Sequence, residues 1–470
     1  MKRLYDRLQE YSASDYYGFH MPGHKRRPVE GADLPYGIDI TEIEGFDDLH
    51  HPEGILRDAQ QMAARVYGAE ETRFLINGST AGLLSGILGS TDRGGRILIA
   101  RNCHKSVYHA VCLNELRPVY LYPEFDEELY LNTNLSVSAV KAALTEHSDI
   151  QAAVVVSPTY DGVISDVEEI ADAVHAYGIP LIVDEAHGAH LGFHPYFEQN
   201  ALAKGADIVI HSLHKTMPSL TQTALLHIQG KIANRRRILR YLDMLQTSSP
   251  SYVLMAGMDL CIHLLDEKRE QLFEPYVKRL DRLRGRLRKL KHLELLETDR
   301  YDWSKIVIAP RDQAMNGREL YRILLERYHL QMEMAAGTYT VAMTSVGDSQ
   351  EGFDRLEQAL REIDGELEGK RRNAAGRRMP GRLPVNRPVM TSAEALRIRD
   401  GGSGVERVVW EDAGGRISGE YAYLYPPGSP LIVPGERISA QTVGVLEQYR
   451  RAGFSVEGPA RPGYLEVLKE

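Results

Sequence analysis

The sequence predicts an α/β fold in which a mainly parallel sheet of seven strands forms a large domain, followed by a smaller α/β domain and a small C-terminal domain. Three observations predict this fold. Short apolar runs alternate with helical patterns over residues 72–228, as they do in a parallel sheet covered by helices. Polar residues follow the ends of several of these runs, where open parallel sheets build ligand sites. Residues 369–385 are rich in Arg, Gly and Pro, which is typical of a linker before the C-terminal part.

The apolar runs are predicted strands because each is short and ends at polar or turn-forming residues. They are Phe74–Ile76, Ile97–Ala100, Val119–Tyr122, Ala152–Val156, Leu181–Val183, Ile208–Ile210 and Ala224–Ile228. A helix is well marked between the fourth and fifth runs. Ser165 or Asp166 is its expected N-cap, Glu168 and Glu169 fall in its first turn, and Gly178 follows its end. This segment is therefore a predicted βαβ crossover.

The second half of the chain predicts two further folded parts. Residues 255–295 carry long helical patterns dense in Arg and Lys, which indicate solvated helix faces beside a stripe of leucines. The following residues suggest a small α/β domain. Its predicted elements are a strand after Trp303, a helix through Tyr328, two strands near residues 331–345 and a helix over Asp354–Leu367. The predicted organisation is an N-terminal segment 1–50, a large domain 51–255, a small domain 256–368, a linker 369–385 and a C-terminal domain 386–470.

Composition excludes several classes of function. The 470 residues are 43% hydrophobic and 26% charged, with a net charge of −9, which indicates a globular protein and not a general nucleic-acid binder. The three cysteines, Cys103, Cys112 and Cys261, lack the spacing of a zinc site or a disulfide framework. Neither a secretory signal nor an apolar run of about 18 residues is present. We expect a cytoplasmic protein that binds no nucleic acid, membrane or structural metal.

The segment Asn77–Gly82 follows the first predicted strand and opens an apolar helix. Free backbone N–H groups at the start of a helix, together with the hydroxyls of Ser79 and Thr80, suit a phosphate group. An ordinary Ser/Thr helix cap is the alternative interpretation.

Asp184 ends a strand that is apolar enough to be buried. A buried carboxylate is costly unless it has a cationic or hydrogen-bonding partner, and a protonated pyridine nitrogen is such a partner. A helix cap at the strand end is one alternative. A metal site formed by His187 and His190 is another, although their three-residue spacing on a loop is a weak signal.

Lys215 lies directly after the strand Ile208–Ile210. Desolvation and nearby positive charge can remove its proton, which Schiff-base chemistry requires, and Ser212 and His214 flank it as further phosphate donors. A single lysine is more often a solvated surface charge. Here the lysine, Asp184 and the glycine-hydroxyl loop occur together in one sheet, which predicts a pyridoxal-phosphate (PLP) enzyme with the cofactor on Lys215.

The chain resembles the fold type I, aspartate aminotransferase-like PLP enzymes, and within them the bacterial ornithine/lysine/arginine decarboxylase family. The likeness covers nearly the whole chain and is carried by the Asp184 and Lys215 motifs together with Phe19–Lys25, Asp39–Glu42, Asp47–His50, Asn102–Ser106, Ser157–Tyr160, Thr247–Tyr252 and Tyr425–Gly428. It implies decarboxylation of a basic L-amino acid to the amine and CO2, with a part in polyamine metabolism.

The resemblance implies a role for each site residue. Lys215 would hold the cofactor as a Schiff base, and Asp184 would face its pyridine nitrogen. His104 would stack on one face of the cofactor ring and Ala186 on the other. His187 would lie beside the ring hydroxyl, where larger members often carry Trp. The phosphate would be bound by Ser79, Thr80, Ser212 and His214.

The resemblance also bears on assembly. The receiver-like wing domain of the large family members is missing, so the chain looks like the short form. Because that wing supports decamers, we expect a homodimer or homotetramer with shared active sites. Thr247–Tyr252 is the expected contribution of a neighbouring subunit.

The substrate stays open among basic amino acids, with arginine ahead of lysine and ornithine. Its distal cation needs an acidic partner, and several residues could supply one: Asp39, Glu42, Glu44, Asp47 and Asp48. Two other functions remain as alternatives. One is a different fold type I reaction such as aminotransfer or aldol cleavage, and the other is a non-catalytic homologue that regulates an active partner.

Overall fold

The computed structural model describes residues 15, 17–19, 46–311, 315–368, 381–424 and 428–469. Several sequence predictions fall outside these ranges: the acidic candidates Asp39, Glu42 and Glu44, the motif residues after Phe19, most of the predicted linker, and Tyr425–Pro427.

The first part of the chain alternates strands and helices from residue 55 onward. Its elements are β1 (Tyr17–Phe19), α1 (Ile55–Tyr67), β2 (Glu71–Leu75), α2 (Gly78–Ser90), β3 (Arg96–Ala100), α3 (Lys105–Leu113), β4 (Arg117–Leu121), β5 (Phe125–Asp126), β6 (Leu131–Asn132), α4 (Val137–Glu146), β7 (Ile150–Val156), α5 (Val167–His175), β8 (Leu181–Asp184), β9 (Ile208–Ser212), α6 (Leu213–Thr216), β10 (Ala224–Ile228), α7 (Arg235–Leu245) and α8 (Tyr252–Leu287).

Seven of these strands form one sheet in the order β2-β10-β9-β8-β7-β3-β4. The strands from β4 to β9 pair in parallel, whereas β10 is antiparallel to both β9 and β2. All seven predicted strands are present, so the mainly parallel seven-stranded sheet is confirmed. The central strands β8, β9 and β10 are buried throughout, which explains why they read as nearly continuous apolar runs.

Helices α2 and α5 illustrate how the sequence positions these elements. Asp166, not Ser165, is the N-cap of α5, where its carboxylate accepts the Glu169 N–H at 3.2 Å. Helix α2 packs closely because it carries glycines at its contacts. A Cβ on Gly82 would lie 2.7 Å from Leu75 Cδ1. The close packing holds the start of α2 at the edge of the sheet where β2, β8 and β9 end their apolar stretches.

The second part of the chain forms a smaller α/β unit. Its elements are β11 (Leu293–Leu296), β12 (Lys305–Pro310), α9 (Gly317–Tyr328), β13 (Leu330–Met332), β14 (Met334–Ala335), β15 (Thr340–Met343) and α10 (Gln350–Glu366). An antiparallel sheet has the order β11-β12-β15-β14, and β13 pairs in parallel with β1. The strand after Trp303, the two helices and the strands near 331–345 occur as predicted.

The helical prediction for residues 255–295 was wrong at its end. Helix α8 stops at Leu287 and residues 293–296 form β11. The reason is a contact from α10. The Asp364 carboxylate accepts the backbone N–H groups of Lys291, His292 and Leu293 at 3.1, 2.7 and 2.8 Å, which a continuing helix would use internally.

The C-terminal part has its own core. Its elements are β16 (Arg387–Pro388), α11 (Ser392–Asp400), β17 (Val405–Val409), β18 (Ala422–Leu424), β19 (Pro430–Ile432), β20 (Glu436–Arg437), α12 (Ala440–Arg451), β21 (Val456–Glu457) and β22 (Tyr464–Leu468). Residues such as Trp410, Ile432 and Leu446 pack together here, separately from the main core. The exact domain boundaries stay predictions. Within the described residues, no helix is both long and apolar enough to cross a membrane.

A buried ion pair joins this C-terminal part to the large sheet. Arg101 follows β3 and is 1% exposed, and Glu436 on β20 is 2% exposed, with 3.3 Å between Arg101 Nη2 and Glu436 Oε2. Arg101 also donates to the carbonyl of Pro430 on β19. The Ser429 hydroxyl donates to the Asn102 carbonyl at 2.8 Å. The C-terminal part is thereby attached beside the end of β3, close to His104.

Candidate active site

A cavity of about 300 Å³ opens at the carboxyl ends of the parallel strands. Its position follows from the fold, since the polar residues that end neighbouring parallel strands meet along one edge of the sheet. The structure brings together in its wall all nine predicted site residues: Ser79, Thr80, His104, Asp184, Ala186, His187, Ser212, His214 and Lys215.

One end of the cavity suits an anion. Ser79 in the first turn of α2 lies 2.5 Å from Ser212 between their hydroxyl oxygens, and both hydroxyls face the start of that helix. Thr80 is exposed on the same turn. His214 Nδ1 donates to the Thr223 carbonyl at 3.0 Å, so its ring would donate to a bound anion through Nε2 only when it is protonated.

Asp184 provides a buried carboxylate at the end of β8. It accepts the Ala186 N–H at 3.2 Å, and burial raises its pKa while the positive charge of Lys215 opposes that rise. A carboxylate in this position is stabilised by any cation that enters the cavity. The helix-cap alternative does not apply, because the residues after Asp184 form turns and not a helix.

Lys215 lies on the short helix α6, directly after β9. Burial lowers the pKa of Lys215, and the negative charges of Asp184 and Glu333 oppose this effect. Its Nζ is 3.0 Å from His187 Nε2. Burial also holds the pKa of His187 well below its usual range. Because its pKa is lowered, Lys215 can supply a nucleophilic nitrogen more readily than a solvated lysine.

His187 Nδ1 is a buried polar atom without a hydrogen-bond partner among the described residues. In the tautomer in which Nε2 accepts from Lys215, Nδ1 carries the hydrogen. A buried donor of this kind favours a ligand with an acceptor group at the same place.

His104 is the N-cap of α3, and its Nδ1 accepts the Ser106 N–H at 3.3 Å. Burial, together with the positive charges of Lys215 and Lys105, lowers the pKa of His104 to about 3. The ring is therefore neutral near pH 7 and can stack on a flat ligand. Ala186, whose side chain is small and buried, lines the same cavity.

The metal hypothesis for His187 and His190 was wrong, because these two side chains have different partners. His190 Nε2 lies 2.8 Å from Asp302 Oδ1, and the same carboxylate pairs with Lys305 at 3.0 Å. These three residues form a buried group behind the cavity. His187 faces Lys215 within it.

Sequence reasoning assigned no site role to several residues that reach the site from outside the Asp184 and Lys215 motifs, including Asn102 and Ser429, which line the cavity, and Tyr160 and Glu333. The ring of Tyr160 lies 4.6 Å from that of His187 between centroids, and its hydroxyl donates to the Glu333 carboxylate. Tyr160 belongs to a motif that had been noticed without a role. Glu333 had no local signal, because it lies between two strands of the second unit.

Of the acidic candidates for the substrate cation, Asp47 is already engaged. Its carboxylate accepts the N–H groups of Asp48, Glu53, Gly54 and Leu56 at 2.8–3.0 Å. Asp48 accepts the His50 N–H at 2.8 Å. These carboxylates hold the loop before α1, and neither lines the cavity.

The motifs Asp47–His50 and Thr247–Tyr252, which have no assigned ligand role, contact each other at the surface. The Tyr252 hydroxyl donates to the Asp47 carbonyl at 2.6 Å, and His50 Nε2 lies 2.9 Å from the Thr247 carbonyl. Exposed apolar side chains at Phe46, Ile55 and Met244 belong to the same loops and helices. This surface is distinct from the wall of the cavity.

The chain is similar to proteins of one family over most of its length. The family described as "Orn/Lys/Arg decarboxylase, major domain" matches residues 2–312, and the C-terminal domain of the same family matches residues 379–457. An arginine decarboxylase from Bacillus anthracis is 32% identical over 487 aligned residues, covering 99% of this chain and 97% of that protein. The uncharacterized protein YaaO from Bacillus subtilis (strain 168) is 35% identical, covering 97% and 95%.

Solved structures show the same fold. The Francisella novicida lysine decarboxylase LdcF superposes with a TM-score of 0.76 at 19% identity, covering 98% of this chain and 80% of that chain. This likeness confirms the predicted fold class.

Proposed function

Because the chain belongs to the Orn/Lys/Arg decarboxylase family, we propose that it uses PLP to remove the α-carboxylate of a basic L-amino acid as CO2, with arginine as the first substrate to test. The observation that carries the proposal is the convergence of nine separately predicted residues in one cavity around Lys215. The arginine decarboxylase of Bacillus anthracis, which this chain matches over nearly its whole length, supports the choice of substrate.

The residues present fit PLP. Ser79, Ser212 and the start of α2 would bind the phosphate, with Thr80 and protonated His214 as further donors. Asp184 is a buried carboxylate that would face the pyridine nitrogen. The cofactor ring would be held between His104 and Ala186, and the unpartnered Nδ1 of His187 would serve its hydroxyl.

PLP, when bound, supplies an acceptor for the electron pair that the departing CO2 leaves behind. The protein supplies the charged and nucleophilic side chains around the cofactor. Asp184 would keep the ring nitrogen protonated, and the lowered pKa of Lys215 would keep its Nζ available to bond the cofactor aldehyde. A proton must then be delivered to Cα of the substrate. Lys215 Nζ is one candidate donor, and His104 or His187 is the other.

The C-terminal part would exclude water from this chemistry. Ser429 lines the cavity and is anchored to Asn102, next to His104. A dry site strengthens every charge interaction within it, including that between Asp184 and the cofactor.

The proposal extends to assembly and compartment. The surface formed by Phe46, Ile55, Met244 and residues 247–252 would pair two subunits in a homodimer or homotetramer, because its apolar side chains are exposed in the single chain. A cytoplasmic location is consistent with free cysteines at positions 103, 112 and 261. The amine product would enter polyamine metabolism.

Absorbance and product analysis test the function. Purified protein supplied with PLP should show the long-wavelength absorbance of the bound cofactor, and arginine, lysine or ornithine should yield amine and CO2. Lys215→Ala should lose both the band and the product, because it removes the nitrogen that bonds the aldehyde. Lys231→Ala, the same change at an exposed position, is the matched control.

The other outcomes are equally informative. A band with keto acid in place of amine would favour an aminotransferase. A band with no product from any of the three amino acids would move the proposal to another PLP reaction. No band at all would contradict it and favour a non-catalytic homologue.

A further inference from the structure

A second cavity of about 150 Å³ lies beside the one that contains Lys215. Four residues line both: Asn102, Val156, Tyr160 and Ser429. Its other walls come from residues 334–339 of the second unit and residues 381–384 of the C-terminal part. All three parts of the chain therefore enclose this space, and it continues the active-site cavity away from the phosphate end.

Asp161 is the acidic side chain among the described residues that line this second cavity. No lysine, arginine or histidine within the described part of the chain forms an ion pair with it. Burial raises the pKa of Asp161 to about 6, and a hydrogen bond from Tyr339 opposes the rise. Its backbone is fixed, because the Asp161 carbonyl accepts the Tyr301 hydroxyl at 2.8 Å. A carboxylate on a cavity wall that has no cationic partner is stabilised by a ligand that brings a positive charge.

The rest of the wall suits an organic cation. It carries the aromatic rings of Tyr130, Tyr160, Tyr339, Tyr449 and Phe454. Aromatic faces attract ammonium and guanidinium groups, most strongly where water is excluded. The Asn102 Oδ1 atom is a buried acceptor without a donor among the described residues, and it belongs to the wall that both cavities share.

One cation, Arg382, also lines the second cavity, but its charge is directed elsewhere. Its guanidinium carbon lies 5.1 Å from the centre of the Phe125 ring, and Nη2 donates to Glu127 at 2.9 Å. Both members of that ion pair are more than half exposed. The field inside the cavity is therefore set by Asp161.

We propose that the second cavity binds a small organic cation, a guanidinium or ammonium group, with Asp161 as its counter-ion within the tyrosine wall. The inference deepens the proposed function and rests on it for the source of the cation. Lys215 contacts His187, His187 contacts Tyr160, and Tyr160 lines both cavities directly before Asp161 in the sequence. The distal end of a basic substrate attached near Lys215 is therefore the favoured occupant. A free amine bound separately from the substrate is the other source of the same chemistry.

Binding of methylguanidinium to the PLP-loaded protein tests the site without relying on turnover. Asp161→Asn should raise the Kd about 10- to 100-fold, because it removes a charged hydrogen-bond acceptor. Asp172→Asn, the same change at an exposed position of α5, should leave the Kd unchanged. PLP absorbance like that of wild type would show that Asp161→Asn is folded. Equal Kd values for wild type and Asp161→Asn would overturn the proposal, as would a loss of binding in Glu333→Gln but not in Asp161→Asn.

A crystal of the wild-type protein soaked with methylguanidinium provides a measurement that needs no variant. Electron density within hydrogen-bond distance of the Asp161 carboxylate is expected. Density only in the Lys215 cavity would contradict the proposal.

Kinetics distinguish the two sources. If the substrate's own side chain occupies the cavity, Asp161→Asn should raise the KM for arginine with a smaller change in kcat, and should narrow the preference for arginine over its neutral analogue citrulline. If a free amine occupies it, methylguanidinium should inhibit non-competitively and Asp161→Asn should abolish that inhibition. A protein that releases no CO2 from any basic amino acid would refute the proposed function, while methylguanidinium binding would still decide the role of Asp161.

Discussion

At the scale of single residues, the site depends on groups whose pKa values burial shifts in opposite directions. Burial raises the pKa of Asp184 and lowers that of Lys215, while each opposes the shift of the other through its charge. Both effects favour neutral forms, and a ligand that carries a positive ring nitrogen would restore the charge of Asp184. Asp184 and Lys215 are thus suited to a cofactor whose ring nitrogen carries a positive charge.

Asp184→Asn tests this arrangement. The amide keeps the shape of the side chain but removes its negative charge, so the ring nitrogen would lose its proton. We expect the rate of CO2 release to fall by about 10²- to 10³-fold, the range typical of losing one electrostatic stabiliser, while PLP still binds. Steady-state kinetics together with the cofactor absorbance measure both quantities. A variant with more than half the wild-type rate would contradict the assigned role.

Asp47 has a structural role at the same scale. Its φ is +68°, and although burial by itself raises the pKa of its carboxyl, the backbone N–H groups of Glu53, Asp48 and Gly54 lower it to about 2. A carboxyl with a lowered folded pKa adds stability above its usual pKa of 3.8 and loses it as the pH falls toward 2. This residue holds the loop that begins α1.

Asp47→Asn should therefore destabilise the protein most at neutral pH. We expect a loss of about 1–2 kcal/mol at pH 7, discounted for the partial exposure of the side chain, since Asn tolerates the positive φ but accepts fewer N–H groups. The difference from wild type should shrink as the pH is lowered below 4. Urea unfolding at several pH values measures it. A difference that does not depend on pH would show that charge is not the cause.

At the scale of elements, close contacts of α2 hold the phosphate end of the site. A Cβ on Gly89 would lie 2.5 Å from Ile238 Cγ1 and 2.7 Å from Ile238 Cα, so α7 packs directly on the backbone of α2.

On the opposite face of the sheet, a row of buried side chains joins neighbouring strands by hydrogen bonds. Glu185 Oε2 lies 2.7 Å from His211 Nε2, His211 Nδ1 lies 3.0 Å from His227 Nε2, and His227 Nδ1 lies 2.7 Å from Thr72 Oγ1.

In the arrangement with Glu185 ionised and both imidazoles neutral, His211 and His227 each carry hydrogen on Nε2. Thr72 then donates to His227 Nδ1, so every member of this row of side chains has a partner. The row links β8, β9, β10 and β2 from behind, so it fixes the strand ends that carry Asp184 and Lys215.

Two glycine substitutions separate packing from helix propensity. Gly89→Ala should lower the free energy of unfolding by about 1–3 kcal/mol, because the contact at Ile238 is with backbone and α7 must move. Gly285→Ala, in α8 with no atom within 4 Å of the added Cβ, should raise it by about 0.5–1 kcal/mol. Thermal unfolding of both variants checks the pair. A higher free energy of unfolding for Gly89→Ala than for wild type would contradict this prediction, because it would show that α2 and α7 can move apart without loss of stability.

At the scale of the whole molecule, the Arg101–Glu436 pair joins the C-terminal part to the large sheet. Glu436 also accepts the Val433 N–H at 3.0 Å and the Asn386 side-chain amide at 3.2 Å, so its charge is fully satisfied. Arg101 lies one residue before Asn102, which lines both cavities. The C-terminal part is therefore attached next to a residue that lines both cavities.

Glu436→Gln should leave Arg101 buried without a counter-ion. We expect a loss of about 3–5 kcal/mol in stability, faster hydrogen exchange across residues 381–469 and lower activity. Arg407→Met, which breaks the more exposed pair with Glu466, should cost less than about 1 kcal/mol. Hydrogen exchange followed by mass spectrometry measures both. Slow exchange retained in the C-terminal part of Glu436→Gln would show that other contacts are sufficient to hold it.

The sequence was sufficient to predict the sheet and to place most of the candidate site residues at one edge of it. Apolar runs mark buried strands, and the carboxyl ends of parallel strands meet at one edge whatever the details of packing, so Ser79, Asp184 and Lys215 could be expected to converge. Features that depend on contacts between parts of the chain could not be predicted in this way and are seen only in the folded protein. Tyr160 meets Glu333, Arg101 meets Glu436, and the cavity around Asp161 needs all three parts to close it. The end of α8 belongs to this second group, because a carboxylate from another helix sets it. The local periodicity of the sequence does not predict these long-range contacts, because their geometry exists only after the separate units have packed together.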